Sequence, residues 1–81
     1  MESLSITENE NILTIESRVP SHVNEDNIED YFDFEYYTVE DDGFDSITNN
    51  LSVSFYFRTE EGLKSNKGDV VSFFKEQVSK M

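Results

Sequence analysis

The carboxylates of Glu25, Glu29 and Asp33 recur at i, i+4 and i+8, and Asp26 and Asp30 form a second i, i+4 pair beside them. On a helix this spacing draws two parallel rows of negative charge, because residues four apart lie on one face. Successive members of a row rise roughly 6 Å along the axis, comparable to the separation of successive phosphates along a nucleic-acid strand. The chemistry open to such rows is recognition of cations, with guanidinium or ammonium groups of a partner received by an array of oxygens. Each like-charged i, i+4 pair destabilises a helix by roughly 0.2–0.5 kcal/mol, so three pairs cost about 0.6–1.5 kcal/mol. Stability alone would have interspersed lysines. The competing reading is a solvated face kept acidic for solubility.

The rows belong to a wider imbalance. The 81-residue chain has 18 acidic and 6 basic side chains, a formal net charge of -12. Residues 20–57 contain Glu25, Asp26, Glu29, Asp30, Asp33, Glu35, Glu40, Asp41, Asp42 and Asp45 and no Lys or Arg, so nearly all of the excess sits in the middle of the chain. That excludes unaided nucleic-acid binding, which needs clustered bases to neutralise phosphates, and it disfavours anionic membrane surfaces. Tyr36 and Tyr37 lie within the acidic run and Tyr56 on a strand nearby. Rings ringed by carboxylates suit an interface, since they bury much area at little cost in side-chain entropy and can stack on a partner's Arg. Their alternative role is to cover the second face of a sheet. The ten acids together with Tyr36 and Tyr37 are the candidate partner-binding residues.

Catalysis finds little material. There is one His, His22, close to Pro20 and read as a loop residue, and there is no Cys. Ser52 and Ser54 alternate on a strand with no base beside them. A domain this small offers little depth in which to desolvate one of two paired carboxylates and split their pKa values. No glycine loop is present to cradle a phosphate. The run Glu40-Asp41-Asp42-Gly43-Phe44-Asp45 clusters hard oxygens but lacks the alternate ligands and closing Glu of a calcium loop, so an exposed acidic loop is expected rather than a metal site. The expectation is a non-enzymatic protein without cofactor or metal.

The elements that position these residues follow from patterning. Length allows one domain, residues 1–81, near the lower edge of what one core stabilises. The 36% apolar and 14% aromatic content is too rich for a disordered chain. Absence of Cys, of a basic-then-apolar leader and of any long apolar run gives a cytoplasmic expectation with no membrane segment. Strands are predicted over residues 3–7 and 12–19, separated by a polar turn at 8–11, with Leu13, Ile15 and Val19 on one face. A short acidic helix follows, with Asn24 as N-cap and Val23 and Ile28 as a hydrophobic staple. Ile28, Tyr31 and Phe32 form its apolar stripe. Residues 34–39 read as a strand with both faces occupied and 40–50 as a loop. Leu51, Val53, Phe55 and Phe57 alternate with polar neighbours and mark the clearest strand. Residues 60–68 read as a polar connection, and Asp69 as the N-cap of a final helix with Val70, Phe73, Phe74 and Val78 facing the sheet. The sum is α+β: an antiparallel sheet of about four strands, a C-terminal helix packed on one face and a short acidic helix in the middle.

In size, acidity and one-sided charge the chain resembles the small DNA-mimic inhibitors encoded by bacteriophages and mobile elements, including several anti-CRISPR proteins. The resemblance rests on the acidic run 25–45 and its two helical rows. It implies a phage-type inhibitor that fills the basic channel of a host nucleic-acid-binding or defence protein, such as a nuclease complex, in the host cytoplasm. An immunity protein or antitoxin neutralising a basic toxin follows from the same electrostatics, and an accessory assembly subunit held by its aromatic face is the third reading. The last twenty residues carry Lys64, Lys67, Lys75 and Lys80 against Asp69 and Glu76. Such a dipolar chain can also form a homodimer, acidic middle to basic tail.

Overall fold

The computed structural model describes residues 4–81 and, within them, every side chain except those of Glu40 and Asp41. Four strands, β1 (Ser5–Asn9), β2 (Ile12–Arg18), β3 (Val39–Asp45) and β4 (Asn50–Tyr56), form one antiparallel sheet in the order β1-β2-β4-β3. A one-turn helix, α1 (Ile28–Tyr31), lies in the connection between β2 and β3, and a long helix, α2 (Glu60–Ser79), follows β4 and packs on β2. The α+β architecture is as the patterning requires.

Period-2 alternation makes the two central strands. Leu13 and Ile15 pair with Phe55 and Val53 across β2 and β4, and all four are fully buried beneath α2. Val19, Leu51 and Phe57 complete the same face. The opposite face is polar: Thr7, Thr14 and Ser54 stand in register across three strands, with 2.9 Å between the Thr14 and Ser54 hydroxyl oxygens. No second layer covers it among the described residues. β1 runs to Asn9, so the first hairpin turns on Glu10 and Asn11 alone, and Glu10 adopts a φ of 56°. A two-residue hairpin loop needs positive φ at its first position, because that twist matches the flanking strands. Position 3 of the expected first strand lies outside the described residues.

Two expectations fail here, both for packing reasons. Residues 34–39 do not form a strand. They are turn and bend up to Thr38, and the strand begins at Val39 and occupies most of the expected loop. Phe44 decides this: it sits opposite Leu51 on the core face, while Gly43 and Asp45 take the open face. β3 is an edge strand, where carboxylates and a register shift between Val39 and Asp41 discourage pairing with another chain. The final helix, in turn, starts at Glu60 rather than after Asp69. Thr59 is its N-cap, its side-chain oxygen accepting the Gly62 N–H at 3.0 Å, and Glu60 and Glu61 occupy the positive first turn. Leu63, Val70 and Phe74, all fully buried, extend the apolar stripe one full heptad earlier than Val70.

Candidate functional site

The acidic middle is built on a short, capped turn. Asn24 Oδ1 accepts the backbone N–H groups of Asp26 and Asn27 at 2.9 and 3.1 Å, and Asn27 Oδ1 accepts the N–H of Asn24 at 2.7 Å. The bonds are reciprocal, as in a capping box, but they close a turn rather than a helix: the N-cap of α1 is Asn27, which makes no side-chain cap bond, and not the expected Asn24. Val23 and Ile28 are both buried in the core, but Ile28 is the first helical residue, so the pair does not hold the staple positions expected around Asn24. The helix that follows is far shorter than the acidic spacing predicts. Residues 25–27 form a turn, α1 spans only Ile28–Tyr31, and Phe32 is extended at φ -127° and ψ 129°. Two parallel helical rows of carboxylates therefore do not form: Glu29 and Asp30 alone are helical, and Asp33 lies beyond the break.

Phe32 makes that break. Its ring is buried at 4.9 Å from Phe34 and at 5.6 and 5.4 Å, edge-on, from Phe73 and Phe74 of α2. Continuing the helix would carry the ring away from this cluster. Stacked and edge-to-face rings of this kind are worth about 0.5–1.5 kcal/mol per pair beyond their buried area. A hydrogen bond from the Asp33 N–H to Gln77 Oε1 at 3.1 Å ties the segment to α2, and Asp33 Oδ1 accepts the Glu35 N–H at 2.9 Å. The exposed carboxylates of Glu29, Asp30, Asp33 and Glu35 are thereby gathered around one shallow groove of about 550 Å³, floored by Phe32 and Phe34. Gln77 lines it too. Nothing in its sequence position, eight residues into the supposed final helix, marked it for this place.

The two tyrosines of the candidate set have different settings. Tyr36 stacks on Phe73, with ring centres 3.9 Å apart and planes 7° from parallel, yet stays 45% exposed. Tyr37 turns inward. It packs against Phe57 at 5.6 Å, and its hydroxyl donates to Asn66 Oδ1 at 3.1 Å. Burial, with negative charge from Tyr36 and Asp69 nearby, raises its pKa.

The remaining acids fall in two other places. Glu25 and Asp26 are exposed on the capped turn preceding α1. Asp42 is exposed on β3 in register with Val53. Asp45 ends β3 and closes its hairpin, accepting the N–H groups of Ile47 and Thr48 at 3.0 and 3.4 Å, and these bonds hold its pKa below the ordinary carboxylate value. The side chains of Glu40 and Asp41 lie outside the described residues. Among the described residues, no group of three or more His, Asp or Glu is placed to hold a metal ion, and no helix is long and apolar enough to cross a membrane. His22 is an exposed turn residue whose ring meets Tyr31 edge-on at 5.7 Å.

Charge pairing divides the molecule. The ion pairs among the described residues are Lys64 with Glu60 at 3.6 Å, Lys67 with Glu8 at 2.6 Å and Lys80 with Glu76 at 3.1 Å. All three use acids from outside residues 20–57. Three of the six bases of the flanks are paired in this way, and no described acid of the middle is. No protein-family model, no curated protein and no solved structure matches this chain.

Proposed function

We propose that the chain is a non-catalytic binding protein of the inhibitor type. It docks its acidic middle on the basic, nucleic-acid-binding surface of a host defence protein or nuclease complex, with carboxylates in the places of phosphates. The observation that supports this is the unpaired state of the described acids between Glu25 and Asp45, whereas the ion pairs of the described residues all use acids from outside residues 20–57. A surface of one sign without counter-charges raises the local concentration of cationic partners and speeds their approach. The groove of Glu29, Asp30, Asp33 and Glu35 suits an inserted Arg side chain, which carboxylates can bind through paired hydrogen bonds. Tyr36 adds an exposed ring on a rigid platform, able to stack on a second guanidinium.

The test removes charge without removing shape. Glu25→Gln, Asp26→Asn, Glu29→Gln, Asp30→Asn and Glu35→Gln are combined. Asp33 is spared because it holds the Glu35 N–H. Partners are captured from host lysate, eluted with a salt gradient, identified by mass spectrometry, and their affinities measured across salt concentrations with and without competing nucleic acid. The expected result is salt-sensitive binding that nucleic acid displaces and that the five-fold variant loses. Undiminished affinity in that variant, or binding indifferent to nucleic acid, overturns the proposal. A toxin as the captured partner would assign the chain to the immunity class.

A further inference from the structure

The two edges of the sheet, β1 and β3, are not alike. We propose that β1 pairs antiparallel with β1 of a second copy of this chain, joining two sheets about a two-fold axis at Ile6.

The backbone sets the chemistry of the occupant. Asn9 and Ile12 flank the two-residue loop of the first hairpin in register. In such a hairpin the flanking pair exchanges hydrogen bonds and bonded pairs then alternate, so Asn9, Thr7 and Ser5 direct their N–H and C=O groups to β2. Those of Ile6 and Glu8 point away from the sheet, and no backbone partner meets them among the described residues. All five residues of β1 are exposed. An outward row of this kind is a template for a further strand.

Only one of the two edges is protected. β3 carries carboxylates and a register shift between Val39 and Asp41. β1 reads Ser-Ile-Thr-Glu-Asn, with none of the prolines, lysines or register shifts that blunt an edge. Its one charge, Glu8, is paired with Lys67. Ile6 stands in register with Ile15 on the face beneath α2, yet remains 39% exposed.

A second copy suits this edge better than a segment of a charged partner. With its single acid already paired, β1 offers little to a cationic segment, which the unpaired acids of the middle attract instead. Pairing centred on Ile6 sets the two Ile6 side chains against each other and covers both. Glu8 then lies opposite Leu4 of the second copy, so the two Glu8 carboxylates stay apart. On the open face Thr7 meets Ser5 of the second copy, which extends the row of hydroxyls formed by Thr7, Thr14 and Ser54. Closure about a two-fold axis ends the assembly at two, because the edges left over are the blunted β3 strands. β3 lies three strand spacings from β1, roughly 14 Å. That exceeds the Debye length of about 8 Å at 0.15 M salt, so its carboxylates repel the second copy little. Five paired residues cover less than the roughly 1,200 Å² of a stable interface, and the dimer is weak, with a Kd on the order of 0.1 mM. Because each copy carries a charge of -12, salt strengthens this association, the reverse of its effect on docking to a cationic partner.

The test is sedimentation and amide hydrogen exchange of the full chain from about 10 μM to about 1 mM, in about 0.01 M and about 0.15 M salt. A monomer–dimer equilibrium that tightens at the higher salt is expected. The amides of Ile6 and Glu8 should gain protection as concentration rises, while those of Thr7 and Asn9 are protected throughout. Ile6→Pro removes an outward N–H, which an edge strand tolerates, and Ile6→Lys sets two ammonium groups face to face at the axis. Each should raise the Kd roughly tenfold or more, with the circular dichroism of the wild type; if Ile6→Pro unfolds, Ile6→Lys decides. A chain still monomeric at about 1 mM in the higher salt, a dimer that Ile6→Lys leaves intact or that salt dissociates, or protection gathered outside β1 would overturn the proposal. So would Ile6 and Glu8 amides protected only by a captured protein, which would make a strand of that protein the occupant.

Discussion

Replacing Gly68 with alanine tests whether α2 begins where the structure places it. Gly68 sits in the exposed middle of that helix, and a Cβ added there meets no atom within 4 Å. Alanine then gains the helix-propensity difference alone, roughly 0.8–1.0 kcal/mol. For a domain of this size that raises the thermal midpoint by about 4–8 °C per kcal/mol. It is a visible fraction of a total stability on the order of 4–12 kcal/mol. Gly62 supplies the contrast within the same helix. Its added Cβ meets Thr59 Oγ1 at 3.3 Å, the atom that accepts the Gly62 N–H. Disturbing that cap costs about 1 kcal/mol and cancels the propensity gain. Thermal and urea denaturation followed by circular dichroism should therefore rank Gly68→Ala above wild type and Gly62→Ala close to it, at an unchanged urea slope. If residues 60–68 were a loop, Gly68→Ala would be neutral or destabilising. That outcome, or Gly62→Ala as the more stable of the pair, refutes the early start of α2.

Three further outcomes are expected. Glu10 occupies φ 56° in the first hairpin, so Glu10→Gly should raise the urea midpoint by the equivalent of roughly 1 kcal/mol; a lowered midpoint would show that the turn is not of this type. Asp45 has its pKa lowered by the Ile47 and Thr48 amides, so its contribution is present above the unfolded-chain value and is lost as pH falls through the folded one. The amide resonances of Ile47 and Thr48 should move below about pH 4, and Asp45→Asn should abolish the movement; constant resonances down to pH 2 would exclude the bonds. Finally, salt shortens the Debye length from about 30 Å at 0.01 M to about 8 Å at 0.15 M, so it should raise the thermal midpoint of the free chain by relieving repulsion among unpaired acids. A midpoint that falls over this range would mean that the acids are paired in solution.

Elements governed by alternation were legible because one physical requirement, burial of every second side chain, set the whole pattern. Leu51, Val53, Phe55 and Phe57 are the clear case, and Leu13 with Ile15 the next. The misread elements are those where local preference yielded to a distant contact. Gly62 and Gly68 weakened the helical signal of residues 60–68, although Leu63 stands seven positions before Val70 and Thr59 three before Gly62, the marks of a stripe and a cap. Phe44 was a lone ring in a run of Asp and Gly, and only its pairing opposite Leu51 makes residues 39–45 a strand. The acidic helix stopped at Tyr31 because Phe32 is needed against Phe73 and Phe74, some forty residues away in sequence and beyond the reach of local spacing. Of the candidate set, Glu29, Asp30, Asp33 and Glu35 meet around one groove, but not as the helical rows that their spacing suggests.

The fold separates acids that serve it from acids that do not. Asp33 and Asp45 hold backbone N–H groups in turns, and Asp42 lies on an edge strand, where charge discourages pairing with other chains. The side chains of Glu25, Asp26, Glu29, Asp30 and Glu35 take part in no hydrogen bond or ion pair among the described residues. Crowded on one stretch, they repel one another, and nothing described in the monomer offsets that repulsion. Solubility does not require the crowding, since it depends on the amount of net charge and is met as well by acids interspersed with lysines. The flanks of this chain follow that interspersed design, with Lys64, Lys67 and Lys80 each beside an acid. A chain that pairs some charges over its flanks, yet leaves these five unpaired beside an exposed Tyr36, keeps a repulsion that salt relieves and that, on the function proposed above, a cationic partner would relieve on docking.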